Sequence, residues 1–200
     1  MSENILLDSL PETVMVDGEE FSIDSNFRTC IILEKILDSK MLDNKQKVME
    51  VLDLFYGEDQ PRSAEAAVGA VMRFYCCGEK PTKASKPKMN GKIEIKPKRI
   101  YSFEHDAPYI FGAFLTQYGI DLNEIEYLHW WKFQAMFRSL NDNNKIVEIM
   151  GYRAADLSKI SNKKERERIA RLKSIYALPE NLTAEDRIAR AGAAFGGGFV

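Results

Sequence analysis

The side chains best suited to metal binding or nucleophilic chemistry are two histidines and three cysteines. Glu126 and His129 have the Glu-x-x-His spacing that places a carboxylate and an imidazole on one face of a helix. Di-iron bundles use that motif twice and add two further carboxylates. Here the only other histidine, His105, has Ser102 three residues before it. The ligand set is incomplete, and His129 reads as a hydrogen-bonded core or edge residue. Cys30, Cys76 and Cys77 are odd in number and contain no C-x-x-C pair. Adjacent cysteines rarely meet disulfide geometry, so all three read as reduced thiols of a cytosolic chain. A catalytic cysteine would need an exposed thiolate beside a histidine base. Cys76 and Cys77 instead close an amphipathic segment, where packing is expected. There is no G-x-S-x-G, and Gly196 to Gly198 lacks the Lys-Ser/Thr of a phosphate loop. These readings assign no catalytic, cofactor-binding or metal-binding residue and point to a protein that is not an enzyme.

Two other features suggest binding. Trp130 and Trp131 are adjacent, so on a helix they point about 100° apart and can both be buried only if neighbours cover two faces. One of them could instead serve an interface, where tryptophan is over-represented. From Glu79 to Arg99 stand eight basic residues (Lys80, Lys83, Lys86, Lys88, Lys92, Lys96, Lys98 and Arg99) against Glu79 and Glu94, a local charge of +6. Such a run could engage phosphates, but it has no aromatic residue on which bases could stack. With Pro81, Pro87 and Pro97 it reads as a solvated linker, with Ile93 and Ile95 a short extended piece. The face carrying Lys163, Lys164, Arg168, Arg171 and Lys173 is interrupted by Glu165 and Glu167 and reads as an ordinary solvated helix face.

The elements that must carry these residues are mostly helices. The chain opens with a hairpin signal: Val14 and Val16 precede Asp17-Gly18, and Phe21 and Ile23 follow. Three helices are predicted next. The first is capped by Asp24, Ser25 or Asn26 and buries Phe27, Cys30, Ile31, Leu33 and Leu37. The second is capped by Asp43, buries Val48, Val51, Leu52 and Phe55, and ends at Gly57. The third is capped by Ser63 and buries Val68, Val71, Met72 and Tyr75, with Gly78 at its C′ position. Beyond the linker, a helix starts at Ser102 or Asp106 and carries Phe111, Phe114, Leu115 and Tyr118 to Gly119. A central helix runs from Glu124 to about Leu140 with Asn123 as cap and apolar residues on nearly every side. A short helix follows from Lys145 to Met150, ended by Gly151. A charged one from Asn162 to Leu178 is ended by Pro179.

The expected fold class is therefore mainly α, a multi-helix protein with a small N-terminal β-hairpin. The expected organisation is an N-terminal lobe over 1–78, the linker over 79–99, a C-terminal helical lobe over 100–179 and a loose tail over 180–200. An apolar fraction of 45% supplies a core, and a net charge of −2 argues against a whole-protein nucleic-acid binder. Residues 1–11 lack a signal-peptide pattern. No apolar run approaches the roughly 20 residues of a membrane span.

Three stretches resemble a known family. They are Leu10-Pro11 through Val14, Gly18, Phe21, Ile23 and Asn26-Phe27-Arg28; Tyr101-Ser102-Phe103-Glu104-His105-Asp106-Ala107 leading into Tyr118-Gly119-Ile120-Asp121-Leu122; and Leu128-His129-Trp130-Trp131-Lys132-Phe133 with Ile149-Met150-Gly151-Tyr152-Arg153 and Tyr176-Ala177-Leu178-Pro179. Together they resemble the tail assembly chaperones of siphophages, encoded just upstream of the tape-measure gene. The resemblance implies a protein of the host-cell cytoplasm, absent from the mature virion, that binds and solubilises the tape-measure protein. Tail-tube subunits and self-association are further partners it allows; the residues themselves argue against membrane, nucleic acid and cofactor. The family carries over no catalytic or partner-contact residues. A structural tail component is the alternative reading, and a nucleic-acid-binding phage regulator the third.

The linker assignment has a direct test. Limited proteolysis is expected to cut rapidly between Gly78 and Arg99 and leave two resistant pieces; uniform resistance along the chain would remove the assignment.

Overall fold

A computed structural model describes residues 5–78 and 99–179. The fold is mainly α with one N-terminal hairpin. Strands β1 (Thr13–Val16) and β2 (Glu19–Ser22) pair antiparallel, Val14 opposite Phe21 and Val16 opposite Glu19. Asp17 and Gly18 both take positive φ, 50° and 89°, as a two-residue type I′ turn requires. The predicted linker over 79–99 lies outside the described residues except for Arg99, and so do the extended piece at Ile93 and Ile95 and the tail over 180–200.

The chain divides into two compact units, and the division cuts across sequence order. Among the described residues, one unit takes 5–78 together with 123–139, and the other takes 99–122 and 140–179. Residues 123–139, expected within a C-terminal lobe over 100–179, group instead with the N-terminal unit.

In the first unit, α1 (Phe27–Asp38) is capped by Asn26, whose side chain accepts from Arg28 N. Its buried stripe uses Ile36, while Leu37 faces outward. The next helix, α2 (Asn44–Tyr56), starts with a complete capping box: Asp43 and Gln46 each accept the other's backbone N–H. It ends at Gly57, φ 58°. The third, α3 (Ala64–Tyr75), is capped by Ser63. Its buried face is Ala67, Ala70, Val71 and Phe74, a rotation away from the expected Val68, Met72 and Tyr75, which are half-buried. Small alanines bring neighbours close to the α3 backbone, and the Tyr56 hydroxyl donates to Ala67 O at 3.0 Å. Burial pushes the Tyr56 phenol up to about 12. Helix α1 packs on α2, α2 on α3, and β1 on α3.

In the second unit, α4 (Ala107–Tyr118) begins after Asp106 with Pro108 in its first turn, and ends at Gly119, φ 66°. It buries Ile110, Ala113 and Phe114, while Leu115, expected inside, is exposed. Asp106 does not cap α4 through its side chain. Its carboxylate is buried and accepts Arg153 Nη1 at 2.6 Å, Arg153 Nη2 at 2.8 Å and Ser102 N at 2.9 Å. Arg153 lies in α6 (Lys145–Ala154), which runs through Gly151 where a stop was expected. Gly151, unlike Gly57 and Gly119, does not take positive φ, so it does not end the helix. Arg153 also donates to Ile100 O at 3.0 Å and to Tyr176 O at 2.6 Å. The last bond falls just beyond α7 (Lys163–Ile175), which ends before the predicted Leu178. Leu178 is fully buried instead. Helix α4 packs on α6, and α6 on α7.

Removing one partner of a buried bidentate pair strands the other charge, at a cost of about 3–5 kcal/mol. Asp106→Ala is expected to lower unfolding free energy by that order in chemical denaturation. Replacing Asp106 and Arg153 together with apolar residues should cost much less.

Candidate functional site

The expected central helix is shorter than its apolar pattern suggests. Helix α5 spans Trp130–Arg138, and residues 124–128 are not helical. Their backbone is used elsewhere. Phe27 N donates to Leu128 O at 2.9 Å and Trp130 N to Ser25 O at 2.8 Å, an isolated antiparallel bridge between Asn26 and His129. The Arg28 guanidinium donates to Ile125 O at 2.8 Å and to Asn123 O and Glu126 O at 3.4 Å each. The Tyr127 hydroxyl meets the Ser25 hydroxyl at 2.7 Å. These bonds hold residues 123–128 in a non-helical course, so Asn123 is no cap and Glu126 is not on a helical face with His129.

His129 takes the N-cap position of α5. Its Nδ1 accepts Trp131 N at 3.0 Å, which requires the proton on Nε2, and Nε2 donates to Pro11 O at 3.0 Å. Both ring nitrogens are thus engaged in holding the segment at Pro11 to the start of α5. Burial holds the imidazole below its ordinary range, opposed by the Pro11 bond and by Glu12. The other histidine, His105, is exposed in the turn before α4. No group of three or more His, Cys, Asp or Glu among the described residues could hold a metal ion.

The two tryptophans are both buried, and their polar edges close the end of α3. The last carbonyls of a helix have no partner within it. Trp130 Nε1 donates to Tyr75 O and Trp131 Nε1 to Phe74 O, both at 2.8 Å. The rings stack on the same residues: Trp130 on Tyr75 with centroids 5.2 Å apart, Trp131 on Phe74 at 6.0 Å. Helix α3 ends in a Schellman arrangement. Cys77 N donates to Phe74 O and Gly78 N to Arg73 O. The C′ position is therefore Cys77, at φ 56°, with the expected Gly78 one place later at φ 71°. A Cβ on Gly78 would stand 3.5 Å from the Trp131 ring. Phe133 extends the aromatic stack, with Trp130 at 5.6 Å and Phe27 at 5.0 Å. Cys30 is fully buried, and burial pushes its thiol up, so it stays protonated; Cys76 and Cys77 are half-buried.

Beside this cluster is a groove of about 690 Å³. The continuous stretch 9–15 forms one wall, and Ala70, Arg73, Phe74 and Trp131 form the other. Of that second wall, Ala70, Phe74 and Trp131 are buried and Arg73 is exposed. Sequence reasoning missed this wall and Arg73, because a groove between a strand and a helix leaves no local pattern. No helix among the described residues is long and apolar enough to cross a membrane.

Because His129 caps α5 only as a neutral ring, stability should depend on pH. Its depressed pKa means the contribution is complete above the unfolded value near 6.5 and is lost as pH falls through the folded value. Denaturation midpoints measured across that range should fall on acidification. In His129→Asn, where the cap does not titrate, this part of the slope should vanish.

The family model described as Bacteriophage Gp15 protein matches residues 6–178. Searches of curated proteins and of solved structures returned no match.

Proposed function

The chain belongs to the bacteriophage Gp15 protein family, and on that footing we propose that it is a tail assembly chaperone that binds the tape-measure protein and keeps it soluble during tail morphogenesis. It acts by contact and carries out no reaction. The single observation that carries this reading is the groove between residues 9–15 and α3, walled by Phe74 and Trp131 and held by the tryptophan–α3 contacts. Groups that could have done chemistry have structural work: His129 caps α5, Cys30 is buried, and Glu126 lies in a loop.

The resemblance of Leu128 to Phe133 and of Ile149 to Arg153 to tail assembly chaperones supports the choice of partner. A tape-measure protein is a long helix with apolar surface, which aggregates if left bare. A helical protein with an apolar groove can mask such surface, and many weak copies along the length can be displaced when tail-tube subunits arrive. On this reading the protein works in the host-cell cytoplasm and leaves before the virion matures.

Apolar burial keeps its affinity as salt rises, whereas exposed charge contacts weaken as the Debye length shrinks to about 3 Å at 1 M salt. Tape-measure fragments should co-purify with the protein at low and high salt. They should also do so when the lysines between Glu79 and Arg99 are replaced by glutamine. Loss at high salt or on lysine replacement would reject groove binding. Failure to bind any fragment, with the protein found in purified virions, would make it a structural tail component.

A further inference from the structure

Helix α7 is the most basic element of the described residues: six cations stand against Glu165 and Glu167, a charge of +4 in thirteen residues, and none of its residues is fully buried. Its outward stripe, at i, i+4, i+7 and i+11, is Lys164, Arg168, Arg171 and Ile175, all exposed. Neither glutamate occupies that stripe. Glu165 binds Arg168 at 2.8 Å, and Glu167 lies 4.0 Å from Lys163. Lys164 and Arg171 make no side-chain hydrogen bond or ion pair among the described residues.

Helix α2 has the opposite sign on its outward face. Met49, Glu50 and Asp53 lie there within about 100° of arc, and Glu58 and Asp59 follow Gly57; all five are exposed. The carboxylates of Glu50, Glu58 and Asp59 have no partner among the described residues. Both helices also carry charge of the wrong sign for their own macrodipoles. A helix C-terminus disfavours anions and an N-terminus disfavours cations. Yet Glu58 and Asp59 follow the end of α2, which has no basic residue in its last turn, and Lys163 and Lys164 open α7. A second helix laid antiparallel on α2, with cations in its first turn, corrects both faults at once. The two stripes match in length, each about 15 Å at the helical rise. Each has an apolar residue at the far end from the misplaced charges: Met49 is 55% exposed and Ile175 51%.

We propose that the outward stripe of α7 in one copy docks antiparallel on the outward face of α2 in a second copy, with Ile175 on Met49, Arg171 beside Glu50 and Asp53, and Lys164 beside Glu58 and Asp59. The occupant is a second copy because this chain itself carries the complementary face, whereas like faces of two copies repel. The contact joins two different patches, so each copy keeps one of them open and further copies add head to tail. The inference goes beyond the chaperone reading and does not depend on it.

The test is sedimentation velocity of the full chain alone, over a range of concentrations, at low salt and at about 1 M salt. Average mass is expected to rise with concentration at low salt and to fall back toward the monomer at high salt. Two variants reverse unpaired charges: Lys164→Glu with Arg171→Glu, and Glu50→Lys with Glu58→Lys. Each by itself should weaken self-association about tenfold. Mixed together they should associate again, because the acidic α7 of one meets the basic α2 of the other. The reversed side chains make no bond within the described chain, so thermal midpoints should match that of the unsubstituted protein. If a reversal lowers the midpoint, Lys164→Gln with Arg171→Gln removes the charge alone and should still weaken association. A monomer at every concentration, association indifferent to salt or to these substitutions, or folded variants whose mixture stays monomeric would overturn the proposal. A contact between α2 and α7 of a single chain leaves the protein monomeric throughout and so counts against it.

Discussion

Two backbone hydrogen bonds, Phe27 N to Leu128 O and Trp130 N to Ser25 O, set the constraint on which the first unit depends. They join positions about a hundred residues apart and pin the start of α5 to the start of α1. Closing so long a loop costs entropy that grows only slowly with length, and the apolar contacts brought together offset it. Phe27 stacks on Phe133, and Trp130 and Trp131 reach the end of α3. Without this junction α5 would have no surface to bury its aromatic residues against, and the carbonyls ending α3 would lose their indole donors. Arg28 completes it by taking three carbonyls of the incoming segment.

The same economy holds in the second unit. Arg153 binds the Asp106 carboxylate and the carbonyls of Ile100 and Tyr176, so one guanidinium ties the segment leading into α4 to the ends of α6 and α7. A buried charge is tolerable only when its donors are matched in this way. The strings that carried the family resemblance meet at these two points. Asn26-Phe27-Arg28 joins Leu128-His129-Trp130 in one unit, and the stretch ending at Asp106 joins Arg153 and Tyr176 in the other. The resemblance therefore rests in part on residues that hold the fold.

His129 and Cys30 both serve the architecture of the first unit. A neutral imidazole that accepts at one nitrogen and donates at the other is suited to join two backbone segments, and in that arrangement it has no free nitrogen for a metal.

The sequence by itself determined the elements whose causes are local. Asp17-Gly18 dictates the hairpin turn through positive φ, the Asp43–Gln46 box starts α2, and Asn26 and Ser63 start their helices through bonds spanning two or three residues. Periodicity located α1 to α3, although it misjudged the buried face of α3 by a fraction of a turn, because small alanines attract no notice in a hydrophobicity pattern. Tertiary structure alone decided the rest. The apolar run from Ile125 onward looks helical throughout, but bonds from Asn26, Phe27 and Arg28, distant in sequence, hold its first residues in a non-helical course. Residues 123–139 join the earlier part of the chain for the same reason. The groove arises only when a strand and a helix from separate stretches are set side by side, and no single stretch of sequence records the space left between them.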